Sequence, residues 1–141
     1  MKRRINILIW LVPVLFLYNC TRDGISPNDG PHVINNNDTT FPVITINKPF
    51  SDQVFITGET ISVEGKVTDL ALYRGKIQIL NSANNNIIKE QAYEIHGLPE
   101  YNFSLSHKTS ETSASEYTIT VSFEDHGLNI STKTVKVKVN L

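Results

Sequence analysis

Few side chains in this 141-residue sequence have types and spacings that do chemistry, and the first is its only cysteine. Cys20 closes the stretch LFLYNC, Leu15 to Cys20, at the end of an apolar run from Ile7 to Tyr18. A single thiol forms no internal disulfide, so the sulfur is expected to serve in some other way. The four histidines, His32, His96, His107 and His126, make no HExxH and no close pair with metal-ligand spacing. There is no GxSxG and no glycine-rich phosphate loop. Asp125 and His126 are neighbours, but adjacent residues in a turn point apart, whereas a catalytic triad needs convergence in space. No enzyme is expected. Three carboxylates remain: Asp38, Asp69 and Asp125, each in a turn-like stretch. Carboxylate oxygens suit calcium, which takes 6–8 oxygen ligands, so the elements that carry these acids decide whether they can hold an ion together.

The leader comes before those elements. MKRRINILIWLVPVLFLYNC has a basic start and an apolar run of about 12 residues, too short to cross a bilayer core that needs roughly 20. It fits the hydrophobic region of an export signal. Ordinary cleavage prefers small residues just ahead of the cut, but no alanine precedes Ala71. Leu17-Tyr18-Asn19-Cys20 instead resembles the lipobox of bacterial lipoproteins, a likeness carried by Leu17 and Cys20. The resemblance implies a signal peptide over 1–19 and a mature chain beginning at Cys20, its sulfur bearing diacylglycerol with palmitate-type chains. Each buried methylene contributes ~0.8 kcal/mol, so two or more chains make a stable anchor. Thr21 stands where an aspartate would by resemblance mark retention at the inner membrane, which implies the outer membrane of the cell envelope.

Residues 20–40 read as the lipidated cysteine and a flexible tether. Gly, Pro, Asn, Asp, Ser and Thr dominate TRDGISPNDGPHVINNNDTT, and no apolar periodicity appears. As a coil these residues would span about 25 Å. From 41 to 141 the pattern changes to period two. Tyr117, Ile119, Val121 and Phe123 alternate with Thr118, Thr120, Ser122 and Glu124, and Val135, Val137 and Val139 alternate with Lys136 and Lys138. Strands with one buried face are expected over 42–47, 60–68, 75–81, 86–95, 101–106, 116–124 and 130–140, with Val54-Phe55-Ile56 as an eighth, edge piece. Turn signals separate them at TGET, NSANNN, HGLPEY and DHGLN. Seven short antiparallel strands in about 100 residues predict an all-β, immunoglobulin-like sandwich without the cysteine pair of antibody domains. Setting aside Lys2, Arg3 and Arg4 leaves ten basic side chains against fourteen acidic ones, a balance that argues against nucleic acid as partner.

Several stretches also resemble bacterial Ig-like domains, modules related in shape to fibronectin type III and cadherin repeats. They are Asp38 to Ile46, Ile61 to Asp69, and Tyr117 to Val121 followed by Asp125 and Asn129. A lipoprotein carrying one such domain is similar to envelope lipoproteins of unassigned function.

In a sandwich of this kind the start of the first strand and alternate loops gather at one pole. That places Asp38, Asp69 and Asp125 together as a calcium pole, on the side where the tether enters and the membrane lies. The competing expectation is that each aspartate caps its own turn. Tyr73, Tyr93 and Tyr101 are candidates for stacking on sugars, although tyrosines in strands are usually structural. Tyr117 reads as a core or tyrosine-corner residue. The function expected is a non-catalytic, lipid-anchored module, monomeric as a domain, that binds a protein or glycan partner or acts as a spacer. The alternative is a subunit of a surface assembly, fimbria-like or part of a carbohydrate-uptake complex, for which the tether makes a poor donor strand.

Overall fold

A computed structural model describes residues 34–141. The signal peptide, Cys20 and the tether as far as residue 33 lie outside the described residues.

The alternating runs form eight strands: β1 Val43–Lys48, β2 Gln53–Ile56, β3 Thr60–Thr68, β4 Leu72–Asn81, β5 Ile87–Glu94, β6 Glu100–Lys108, β7 Ser115–Asp125 and β8 Ile130–Asn140. They build two sheets, one ordered β1-β3-β6 and the other β2-β8-β7-β4-β5. This is an immunoglobulin-like sandwich. The piece around Val54–Ile56 is a true strand, so the strand count is eight rather than seven. It runs parallel to β8, pairing Gln53 with Val137 and Ile56 with Asn140, whereas every other pair is antiparallel. Pro49 separates it from β1. Proline has no N–H to give a ladder, so the chain leaves the first sheet there and joins the second.

β4 begins three residues earlier than the alternation predicts. Its register against β7 slips between Leu72 and Arg74, a bulge that puts Leu72 and Gly75 on the inner face and hides the period. Tyr117, Ile119, Val121 and Phe123 of β7, Ile77 and Ile79 of β4, and Ile61, Val63 and Val67 of β3 form the dry centre. Tyr117, the third residue of β7, is fully buried, its hydroxyl donating to the Glu111 carboxylate six residues upstream. It is thus a core residue in the tyrosine-corner position, tied to a side chain instead of the backbone.

His107 points into the sandwich at the end of β6, beside the Tyr117 ring, and its Nε2 is buried without a hydrogen-bond partner. Burial holds its pKa below the ordinary value; Glu111 opposes this and Lys89 adds to it. The unfolded chain titrates near pH 6.5 while the folded chain titrates lower. The stability that comes from keeping His107 neutral is therefore complete above about pH 6.5 and is lost as the pH falls from there through the folded pKa. We expect the melting temperature of the wild type to drop between about pH 6.5 and 5, and His107→Gln to flatten that slope. Equal slopes in the two proteins would contradict the assignment.

Candidate functional site

The strand directions collect residues 34–42 and the β3–β4, β5–β6 and β7–β8 loops at one end of the sandwich. Backbone hydrogen bonds join these loops in series. Asn35 N–H donates to the His126 carbonyl, His126 N–H to Ala71, Asp69 N–H to Pro99 and Leu72 N–H to Leu98, at 2.9–3.0 Å. Residues 34–38, at the end of the stretch read as tether, are thereby fastened to the β7–β8 loop.

The three acids meet in this platform. One carboxylate oxygen from each of Asp38, Asp69 and Asp125 lies within 4.8 Å of the others. Each aspartate also caps its own turn. Asp38 accepts from the backbone and hydroxyl of Thr40, Asp69 from Ala71 N–H, and Asp125 from Asn129 N–H and Nδ2 at 2.8 and 2.9 Å. The two expectations are compatible, because Asp38 and Asp69 engage one oxygen each in these caps, and Asp125, which engages both, keeps a second lone pair on each. Asp125 is completely buried and Asp38 and Asp69 partly so. The Thr40 hydroxyl, followed by its N–H, holds the Asp38 carboxyl below the usual carboxylate range, so Asp38 is anionic at neutral pH.

Asn129 is the residue that reasoning from chemistry missed. Its amide donates both to Asp125 and, at 3.2 Å, to the Asp38 carbonyl, so it clamps the entering chain to the β7–β8 loop. The signal in the sequence was the spacing of Asp125 and Asn129 around a glycine turn.

The geometry suits calcium. Two oxygens bound at about 2.3–2.6 Å on opposite sides of one ion lie roughly 4.6–5.2 Å apart, the scale of this cluster. Three carboxylates would supply part of the coordination shell, and carbonyls or waters the rest.

Beside this pole, on the outer face of the larger sheet, Arg74 Nε donates to Glu124 at 2.7 Å and its guanidinium lies 5.0 Å from the Tyr73 ring centre. Tyr73 also packs near His126 and His96, with ring centres 5.1 and 5.4 Å away. Asp125 and His126 do diverge: the carboxylate turns to Asn129 and the imidazole to Tyr73.

With the fold in place, likeness to known proteins can be judged. No protein-family model matches the chain, and no curated protein matches it. Solved structures do. An engineered protein superposes with a TM-score of 0.51 at 14% identity, over 71% of this chain and 20% of its own. The fibronectin(III)-like modules of CbhA from Clostridium thermocellum give 0.42 at 16%, over 72% of this chain and 46% of theirs. The CARDB domain of PF1109 from Pyrococcus furiosus gives 0.45 at 18%, over 72% of this chain and 97% of that one. The chain thus spans less than half the length of the first two. Likeness at this level of identity speaks to the fold alone.

Tyr93 and Tyr101 pack along one flank of the sandwich. Tyr93 donates its hydroxyl to the Ser104 carbonyl, meets Tyr101 edge-on at 5.6 Å and stacks on Phe123 at 6.1 Å. It closes the flank where β5 and β6 belong to different sheets, and burial there pushes its hydroxyl pKa up.

Proposed function

We propose that this chain is a lipid-anchored, non-catalytic protein of the cell envelope, held at the outer membrane through Cys20. Its sandwich binds a protein or glycan partner or acts as a spacer. The observation that carries the reading is the order of parts. A solitary cysteine ends a short apolar leader, a polar stretch follows, and a closed sandwich receives that stretch at one pole. A role by strand addition is disfavoured by Lys89 and Glu90 in β5, whose charges guard a free sheet edge. Capture from envelope extracts and glycan arrays, using the lipidated full chain, tests the binding role. A specific partner is expected; silence in both would restrict the protein to spacing.

The pole holding Asp38, Asp69 and Asp125 is proposed as a calcium seat within this module, supported by three converging carboxylates of which one is wholly buried. A ligand that binds only the native state raises its stability by mass action, by about 2.7 kcal/mol at a hundredfold excess over Kd. Calcium is expected to raise the melting temperature relative to chelator, and Asp69→Asn to abolish the difference. Identical melting with calcium and with chelator would remove the proposal.

A further inference from the structure

The two ends of the sandwich differ in what their loops expose. At the tether pole every loop offers a large apolar tip to solvent. Phe41 is 59% exposed on the entering chain, Leu70 78% on the β3–β4 loop, Leu98 45% on the β5–β6 loop and Leu128 50% on the β7–β8 loop. Phe41 and Leu70, with Val43 and Pro99, border an open depression of about 480 Å³. The loops of the opposite end, residues 57–59, 82–86 and 109–114, contain no large apolar side chain. Large apolar side chains are also exposed away from these tips, at Phe50 on the β1–β2 connection and at Val54, Ile56, Ile87 and Leu141. Scattered residues need no explanation, but four loop tips gathered at one pole do.

Two further observations bear on it. The serial hydrogen bonds between the loops hold the tips in a fixed array. Leu128 also keeps φ at +66°, in the left-handed region that disfavours a bulky side chain and is uncommon outside functional loops. The length of chain between Cys20 and this pole points to what covers the array. Only 14 residues separate Cys20 from Asn35, whose N–H is fastened at this same pole. A coil of that length spans about 20 Å. A lipid on Cys20 would therefore keep the pole where the chain enters close to the bilayer.

We infer that the tether pole docks on the phospholipid surface, inserting Phe41, Leu70, Leu98 and Leu128 among zwitterionic headgroups. This rests on the lipid-anchor reading of Cys20. With no calcium in the pole, the acids behind the rim favour headgroups that end in an ammonium, as phosphatidylethanolamine does, and disfavour a strongly anionic surface. The domain stands pole-down, with the polar loops of its other end presented away from the membrane.

The test uses the lipidated full chain in vesicles of phosphatidylcholine and phosphatidylethanolamine. An environment-sensitive fluorophore is placed on Leu70→Cys or, as control, on Asn84→Cys, the acylated Cys20 being blocked. Docking predicts that the probe at 70 shifts to the blue, brightens several-fold and is quenched by nitroxide-labelled lipid, while the probe at 84 does none of these. With the probe moved to Leu98→Cys, adding Leu70→Glu should reverse most of the gain. If the protein floats with the vesicles but the probe at 70 stays aqueous, docking is overturned and the anchor stands. If the protein does not float, the anchor fails and docking with it. Shielding of position 70 before vesicles are added also overturns docking: if it depends on concentration a second copy covers the pole, and if not the chain's own N-terminal segment does.

Discussion

Gly75→Val is expected to cost the domain at least about 3 kcal/mol, much of the stability of a domain this size. The reason is a matched pair of close approaches. Gly75 of β4 stands opposite Phe123 of β7, and Gly65 of β3 opposite Phe103 of β6. A β-carbon at position 75 would sit 2.1 Å from Cδ1 and Cε1 of Phe123, and one at position 65 would sit 2.4 Å from Cζ of Phe103. Each ring lies over the glycine across the strand, and the two rings meet between the sheets with centres 5.4 Å apart. Phe123 cannot retreat, because Phe103 packs on it from one side and Tyr93 from the other. Aromatic cover of a cross-strand glycine fills the space the missing side chain leaves, so the fit works only with both partners. Phe123→Ala alone should cost about 3–5 kcal/mol. Gly75→Val combined with Phe123→Ala should cost less than the sum by about 1–3 kcal/mol, because the valine then occupies the vacated space. Urea titration of the four proteins checks this. Strictly additive losses would show that ring and glycine do not share that space.

Cys20→Ala is expected to remove the protein from the outer membrane. Two acyl chains contribute ~0.8 kcal/mol per buried methylene, far more than a few leucines at a loop rim can supply. The unacylated chain, without a lipid to recruit its processing, is also expected to keep its leader or be cut elsewhere. Fractionation of cells expressing wild type and variant decides it. The wild type should sediment with outer membranes and resist alkaline washing, and the variant should lose that pattern. A variant that fractionates as the wild type does would mean that the sulfur plays no part in attachment.

Much of the fold was legible because a half-buried strand writes its burial into every second residue. β7 and β8 carry that alternation without a break from Tyr117 to Phe123 and from Val135 to Val139. It fails in two physical situations. A bulge shifts the phase by one residue, which is why Leu72 looked like loop although it is fully buried. A glycine on the inner face interrupts the apolar count, so Gly65 and Gly75 read as gaps when they are seats for Phe103 and Phe123. β2 was marginal by length, four residues joined to β8 and to nothing else.

The convergence of Asp38, Asp69 and Asp125 was legible for a topological reason. In an antiparallel sandwich alternate connections share an end, so loop residues far apart in sequence are sorted between two poles. The lateral hydrogen bonds that fix those loops were not legible, because they join backbone groups whose partners depend on three-dimensional closure. The clamping role of Asn129 and the apolar tips went unread for a related cause. An amide or a leucine in a turn carries no message until its neighbours from other loops are known.

The central claim is that the chain is attached through a lipid on Cys20, and the most direct measurement is mass spectrometry of the N-terminal peptide from the purified membrane-bound protein. Leu17 and Cys20 match the processing site by type, whereas Tyr18 and Asn19 are bulkier than its usual residues, so the peptide itself must decide. The account predicts that the mature chain begins at Cys20 and carries the mass of a diacylglycerol thioether, with or without a further acyl group on the amine. A membrane-bound chain that retains residues 1–19, or that begins at or beyond Cys20 with no lipid attached, would contradict it.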